Sequence, residues 1–75
     1  MVNRYTIYID DKATRCWLRD LIASDAEMHP VFTTNRDHAM IFDSFNRAKA
    51  WRARLRAMDY APHIEPYFGD RRPWA

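Results

Sequence analysis

Apolar and polar positions change rhythm several times along this chain, and each rhythm predicts an element. Tyr5-Thr6-Ile7-Tyr8-Ile9 is rich in aromatic and β-branched residues, the composition of a strand. Alternation places Tyr5, Ile7 and Ile9 on one face. Asp10-Asp11-Lys12 reads as a turn. Thr14 to Leu21 fits two periods. As a strand it puts Cys16 and Leu18 on one face and Arg15, Trp17 and Arg19 on the other. As a helix it gathers Trp17, Leu18, Leu21, Ile22 and Met28 on one side, with Asp11 as a cap. The strand is preferred because it makes a hairpin with the first element.

Ile22 to Pro30 reads as a loop or the tail of that alternative helix. Val31-Phe32-Thr33-Thr34 is expected as a short strand and Asn35-Arg36-Asp37 as a turn, after which Ala39 to Phe42 is apolar again. From Ser44 to about Met58 the period becomes helical. Ser44 is a suitable N-cap, and Asp43 lies beside the positive end of the helix dipole. Phe45, Ala48, Trp51, Leu55 and Met58 recur every three or four residues, forming one apolar stripe. Pro62 lies just beyond the helix. His63-Ile64-Glu65, bracketed by Pro62 and Pro66, predicts a short edge strand.

The expected architecture is α+β, in the order β-β-β-α-β. It comprises a small antiparallel sheet of three or four strands with one helix packed on a face. The alternative is β-α-β-α-β, with an extra helix near residues 13–27. At 75 residues the chain holds one domain, taken as residues 1–68, followed by a tail over 69–75. A hydrophobic content of 48% is too high for a disordered chain.

Charge adds a second layer. The net charge is +2, but the signs are segregated. Between Asp20 and Asp43 stand Asp20, Asp25, Glu27, Asp37 and Asp43 against the single base Arg36; between Ser44 and Met58 stand Arg47, Lys49, Arg52, Arg54 and Arg56 with no acid. Arg47 and Arg54 flank one side of the helix, and Lys49 and Arg56 the other. Arg52 lies on the margin of the stripe. Ala50, Ala53 and Ala57 form the far face; helix propensity is the ordinary reason for alanine there, and the alternative reading is that small side chains let a partner approach closely. Solvation balanced by nearby acids is the ordinary explanation for such charges. The tail residues Arg71, Arg72 and Trp74 are of types common at interface hot spots; the equal alternative is that the tail folds back and Trp74 covers the small core.

Catalytic signatures are missing. Cys16, His29, His38 and His63 have neither Cys-x-x-Cys nor His-x-x-x-His spacing, so no metal site is expected. Cys16 beside Trp17 and Leu18 reads as a small packed hydrophobe. One glycine rules out a Gly-rich phosphate loop. The chain is therefore read as non-enzymatic and without a cofactor. A single cysteine suits a reducing compartment. With neither a signal-like N-terminus nor a long apolar run, the reading is cytoplasmic, with no membrane partner.

Phe32-Thr33-Thr34-Asn35-Arg36-Asp37-His38-Ala39-Met40-Ile41-Phe42-Asp43-Ser44, followed by Ala48, resembles a pattern of small phage and prophage proteins. In that pattern an aromatic-Thr strand leads to Ala-x-x-Phe, a Ser-capped helix and a closing strand near Ile-Glu, here Ile64-Glu65. The resemblance covers Val31 to Glu65, and Phe32 stands where the pattern usually has tryptophan. It implies a hairpin, a third strand, one helix and a last strand, and brings no catalytic residues. By analogy it points to an accessory protein of the anti-CRISPR or host-takeover type. Such a protein, in the host cytoplasm, inhibits or modulates a host protein or protein–nucleic acid complex. The binding residues expected on this reading are Arg47, Lys49, Arg52, Arg54, Arg56, Arg71, Arg72 and Trp74. A homodimer joining the basic helix to the acidic 20–43 segment is the self-association option. The alternative function is a small nucleic-acid-binding protein using the basic helix 44–58; any direct nucleic-acid binding is expected to be weak.

Overall fold

A computed structural model describes residues 4–24 and 27–69. It contains one four-stranded antiparallel sheet and one helix, in the expected order β-β-β-α-β. The strands are β1 (Tyr5–Asp11), β2 (Thr14–Ser24), β3 (Glu27–Thr33) and β4 (His63–Pro66), and the helix is α1 (Phe45–Ala57). Their order across the sheet is β3-β2-β1-β4. Among the described residues, no helix is long and apolar enough to cross a membrane.

The hairpin reading holds: Asp10 pairs with Arg15 and Asp11 with Thr14, so β1 runs two residues into the expected turn. The two-residue connection Lys12–Ala13 has φ values of 49° and 65°. Positive φ at both centres is the twist that suits a tight hairpin. Neither residue is a type that adopts it cheaply, so the flanking ladder holds the turn in place.

The second difference is larger. The described residues of 13–27 do not form the alternative helix, and 22–24 and 27–30 lie in strands rather than a loop. β2 continues to Ser24, and β3 begins at Glu27 rather than Val31. Pairing runs from Trp17↔Thr33 to Ser24↔Glu27, with an irregularity between Leu18 and Asp20. Pro30 sits opposite Leu21 within β3, an edge strand, where a residue without an N–H is tolerated. The expected turn at 35–37 is a short 3-10 helix, Arg36–His38, whose Asn35 side chain accepts from the Asp37 N–H.

β2 outruns β1 and leaves it beyond Trp17. Residues 39–42 occupy the space so created. Met40 N–H donates to the Leu18 carbonyl of β2 at 2.8 Å, while Phe42 exchanges two backbone bonds with Tyr5 of β1. These four residues are at most 2% exposed. Such burial of an irregular segment is tolerated because the Ala39, Met40 and Phe42 N–H groups and the Phe42 carbonyl have backbone partners.

The core lies between α1 and one face of the sheet. Ile7 and Leu18, the interior residues of β1 and β2, pack with Met40, Phe42, Ala48 and Leu55; Tyr5, Phe32, Trp51 and Ile64 close the margin. Ile7↔Ile64 and Leu18↔Phe32 are cross-strand pairs, the unit of sheet stabilisation. Phe45 departs from the predicted stripe: it is 45% exposed and packs only its edge of the helix, against Tyr5 at 5.4 Å. Trp51 is half-buried, with its ring 6.1 Å from Phe42.

Candidate functional site

The structure carries two polar surfaces, one on each side of the core. α1 begins where its sequence predicts. The Ser44 hydroxyl accepts from the Arg47 N–H at 3.1 Å, satisfying one donor that the first turn leaves unpaired. It ends at Met58, beyond which Asp59 has φ 69°. Asp59 N–H donates to the Arg56 carbonyl and Tyr60 N–H to the Leu55 carbonyl, the pair of bonds that defines a Schellman end. Ala48 and Leu55 are fully buried, which rotates the remaining positions outward.

That rotation fixes where the five predicted helix cations lie. Lys49, Arg52 and Arg56, three and four residues apart, share one side. Lys49 and Arg56 are exposed, while Arg52 is half-buried on the margin, as expected. The Lys49 ammonium stands 5.6 Å from the Phe45 ring centre. On the opposite side, Arg47 pairs with Asp43 at 3.3 Å, and the Arg54 guanidinium lies over the Trp51 ring at 5.1 Å. Among the described residues, no carboxylate lies within ion-pair distance of Lys49, Arg52, Arg54 or Arg56. Between the two sides run Asn46, Ala50, Ala53 and Ala57, all exposed. Arg71, Arg72 and Trp74 fall outside the described residues.

The other surface was not singled out by the sequence. On the helix-free sheet face, Glu65 is a hub. Its Oε1 accepts from Trp17 Nε1 at 2.7 Å and from the fully buried Thr6 hydroxyl at 3.1 Å. Arg36 Nε lies 3.3 Å from the same oxygen, and Arg15 Nη1 is 3.9 Å from Oε2. Arg15 also pairs with Asp10 at 3.5 Å and covers the Tyr8 ring at 4.0 Å. Tyr8 in turn stacks on His63 at 5.2 Å. Arg36 also donates to the Pro66 carbonyl and lies near Tyr67. Alternation in β1, β2 and β4 contains the signal: Thr6 and Tyr8, Arg15 and Trp17, His63 and Glu65 share one face.

The two surfaces differ in how far their charges are satisfied. Charges on the sheet face are cross-linked to one another, which makes that face a structural lock. Among the described residues, no acid is paired with Lys49, Arg54 or Arg56, which are exposed on the helix, or with Arg52 on its margin. Among the described residues, no group of three or more His, Cys, Asp or Glu is placed to hold a metal. Cys16 is half-buried opposite Ile9. No protein-family model matches the sequence, and neither the curated proteins nor the solved structures contain a match to it.

Proposed function

We propose that this protein is a non-enzymatic binding module that docks through the outward side of α1 onto an acidic protein surface. The observation that carries this reading is the row Lys49, Arg52 and Arg56, to which no described carboxylate is paired, while Arg15 and Arg36 are engaged by Asp10 and Glu65. Exposed charges of one sign steer and register a partner of the opposite sign. Arginine supplies a fork suited to carboxylates. Arg71, Arg72 and Trp74 belong to the same proposal on their residue types alone. The resemblance over Val31 to Glu65 supplies the setting: a phage or prophage accessory protein in the host cytoplasm, acting on a host protein or protein–nucleic acid complex.

The test is affinity capture from nuclease-treated bacterial lysate, comparing the tagged protein with a Lys49→Glu, Arg52→Glu, Arg56→Glu variant of unchanged far-UV circular dichroism. A partner held by the first and lost by the second supports the reading. Equal capture by both refutes it, and binding that disappears with nuclease favours the nucleic-acid alternative.

A further inference from the structure

Taking α1 as the docking side, we propose that its occupant is an acidic α-helix of the partner, laid along the alanine strip. The argument starts from the cross-section of α1. Asn46, Ala50, Ala53 and Ala57 follow one another at spacings of four, three and four, and all are exposed. Three of the four end at a methyl group, so the strip is a shallow track along the helix. A second helix seated there can approach to the short end of the usual range of about 8–10 Å between axes.

The charges are arranged to hold such a helix from both sides. Lys49 and Arg56 rise along one border, with Arg52 behind them at the margin of the core; Arg54 stands on the other, beside Arg47, which also pairs with Asp43. Borders of charge beside a close-packed seam set partner choice and orientation in paired helices. A seam flanked by glutamate or aspartate on both sides is the complement of this surface. A second α1 is not, because it would set cations against cations.

Phosphate backbones would also be attracted to these cations. They would not use the strip. Reading a base edge requires hydrogen-bonding groups, and Ala50, Ala53 and Ala57 have none. A polyanion held by charge alone is indifferent to the bulk of the strip, whereas a packed helix is not. That difference provides the test.

The probe is a helical peptide of about three heptads, with a leucine seam bordered on both sides by glutamates. It is titrated into the full-length 15N-labelled protein. The control peptide has the same composition, with the glutamates moved to the face opposite the seam. Expected are amide shift changes centred on Ala50, Ala53 and Ala57. Ala53→Gln should weaken binding about tenfold by filling the track, and Ala50→Gln should do the same. Glutamine suits an exposed helix position, and the free variants' amide spectra verify their folds. Duplex DNA, titrated in parallel, should bind both variants as it binds wild type. If the seam peptide binds wild type and Ala53→Gln equally, or the control peptide binds as well as the seam peptide, the helix inference is wrong while acidic docking stands. If neither acidic peptide shifts any α1 amide, the docking reading falls as well.

Discussion

Replacing Glu65 tests whether the helix-free face is locked by hydrogen bonds or by charge. Glu65→Ala removes the acceptor of Trp17 Nε1 and of the Thr6 hydroxyl. Thr6 is fully buried, so its hydroxyl is left without a partner or with one poorly placed, at about 1–3 kcal/mol. The Trp17 bond, short at 2.7 Å and made to a charged acceptor, adds about 1.5–3 kcal/mol. Arg15 and Arg36 are nearly half exposed, at 47% and 45% of the side chain, so solvent screens both pairs and each contributes at most about 1 kcal/mol. These terms share one carboxylate and do not add fully. The expected loss is about 3–5 kcal/mol, a large part of the roughly 4–11 kcal/mol that a domain of this length has in total. Glu65→Gln keeps an oxygen for Trp17 and Thr6 but loses the ion pairs and the charge on the Trp17 acceptor, so its cost should be about 1–2 kcal/mol. Urea unfolding followed by far-UV circular dichroism measures both variants. Equal losses for alanine and glutamine would mean that charge holds the face. A negligible loss for alanine would mean that the network follows the fold without stabilising it.

Other expectations follow from the core and the turns. Leu55→Ala, at a fully buried site, should cost about 2–5 kcal/mol, and Phe45→Ala, on an exposed edge, under about 1 kcal/mol; thermal unfolding separates them. Asp59→Gly and Ala13→Gly place glycine where φ is 69° and 65°, and each should raise stability by about 1 kcal/mol in urea melts. Ser44→Ala removes the N-cap hydroxyl and should cost about 1 kcal/mol; an unchanged melt would mean that the Arg47 N–H has found another acceptor. Gly69→Ala would drive a Cβ into the Tyr67 ring. Because that tyrosine is buried, the change should lower the melting temperature measurably.

The helix was legible because its signals agree: a capping serine, a stripe with period near 3.6, and prolines after its end. The first hairpin was legible because β-branched and aromatic residues stand on both sides of a polar break. The second hairpin was hidden by Pro30 and by the acids around it, which look like loop composition. What holds residues 22–24 and 27–30 extended is pairing between β2 and β3, a tertiary interaction that outweighs weak local preference. The burial of residues 39–42 was visible only as apolarity, because their place depends on where β2 leaves β1. Phe45 misled because a stripe is wider than the buried strip beneath it. On the candidate site, the cations could be counted from the sequence. Which of them have an acid beside them could not, because that depends on the fold setting Asp43 next to Arg47 and placing Asp10 and Glu65 on the opposite face of the sheet.

The ends of the sheet bear on how this protein behaves when crowded. Tyr67 N–H donates to the Arg4 carbonyl, so by antiparallel alternation His63 and Glu65 turn their backbone groups toward β1. Pro62, Ile64 and Pro66 then turn theirs away, and of these only Ile64 has an N–H. The Pro66 carbonyl already accepts from Arg36. On the far side, β3 carries Pro30. A stray strand arriving at β4 finds one donor over five residues, and prolines on exposed strands are among the devices that stop sheets from growing edge to edge. The β4 edge is thereby a poor template for a further strand, and a molecule that arrives there meets side chains rather than an open backbone ladder.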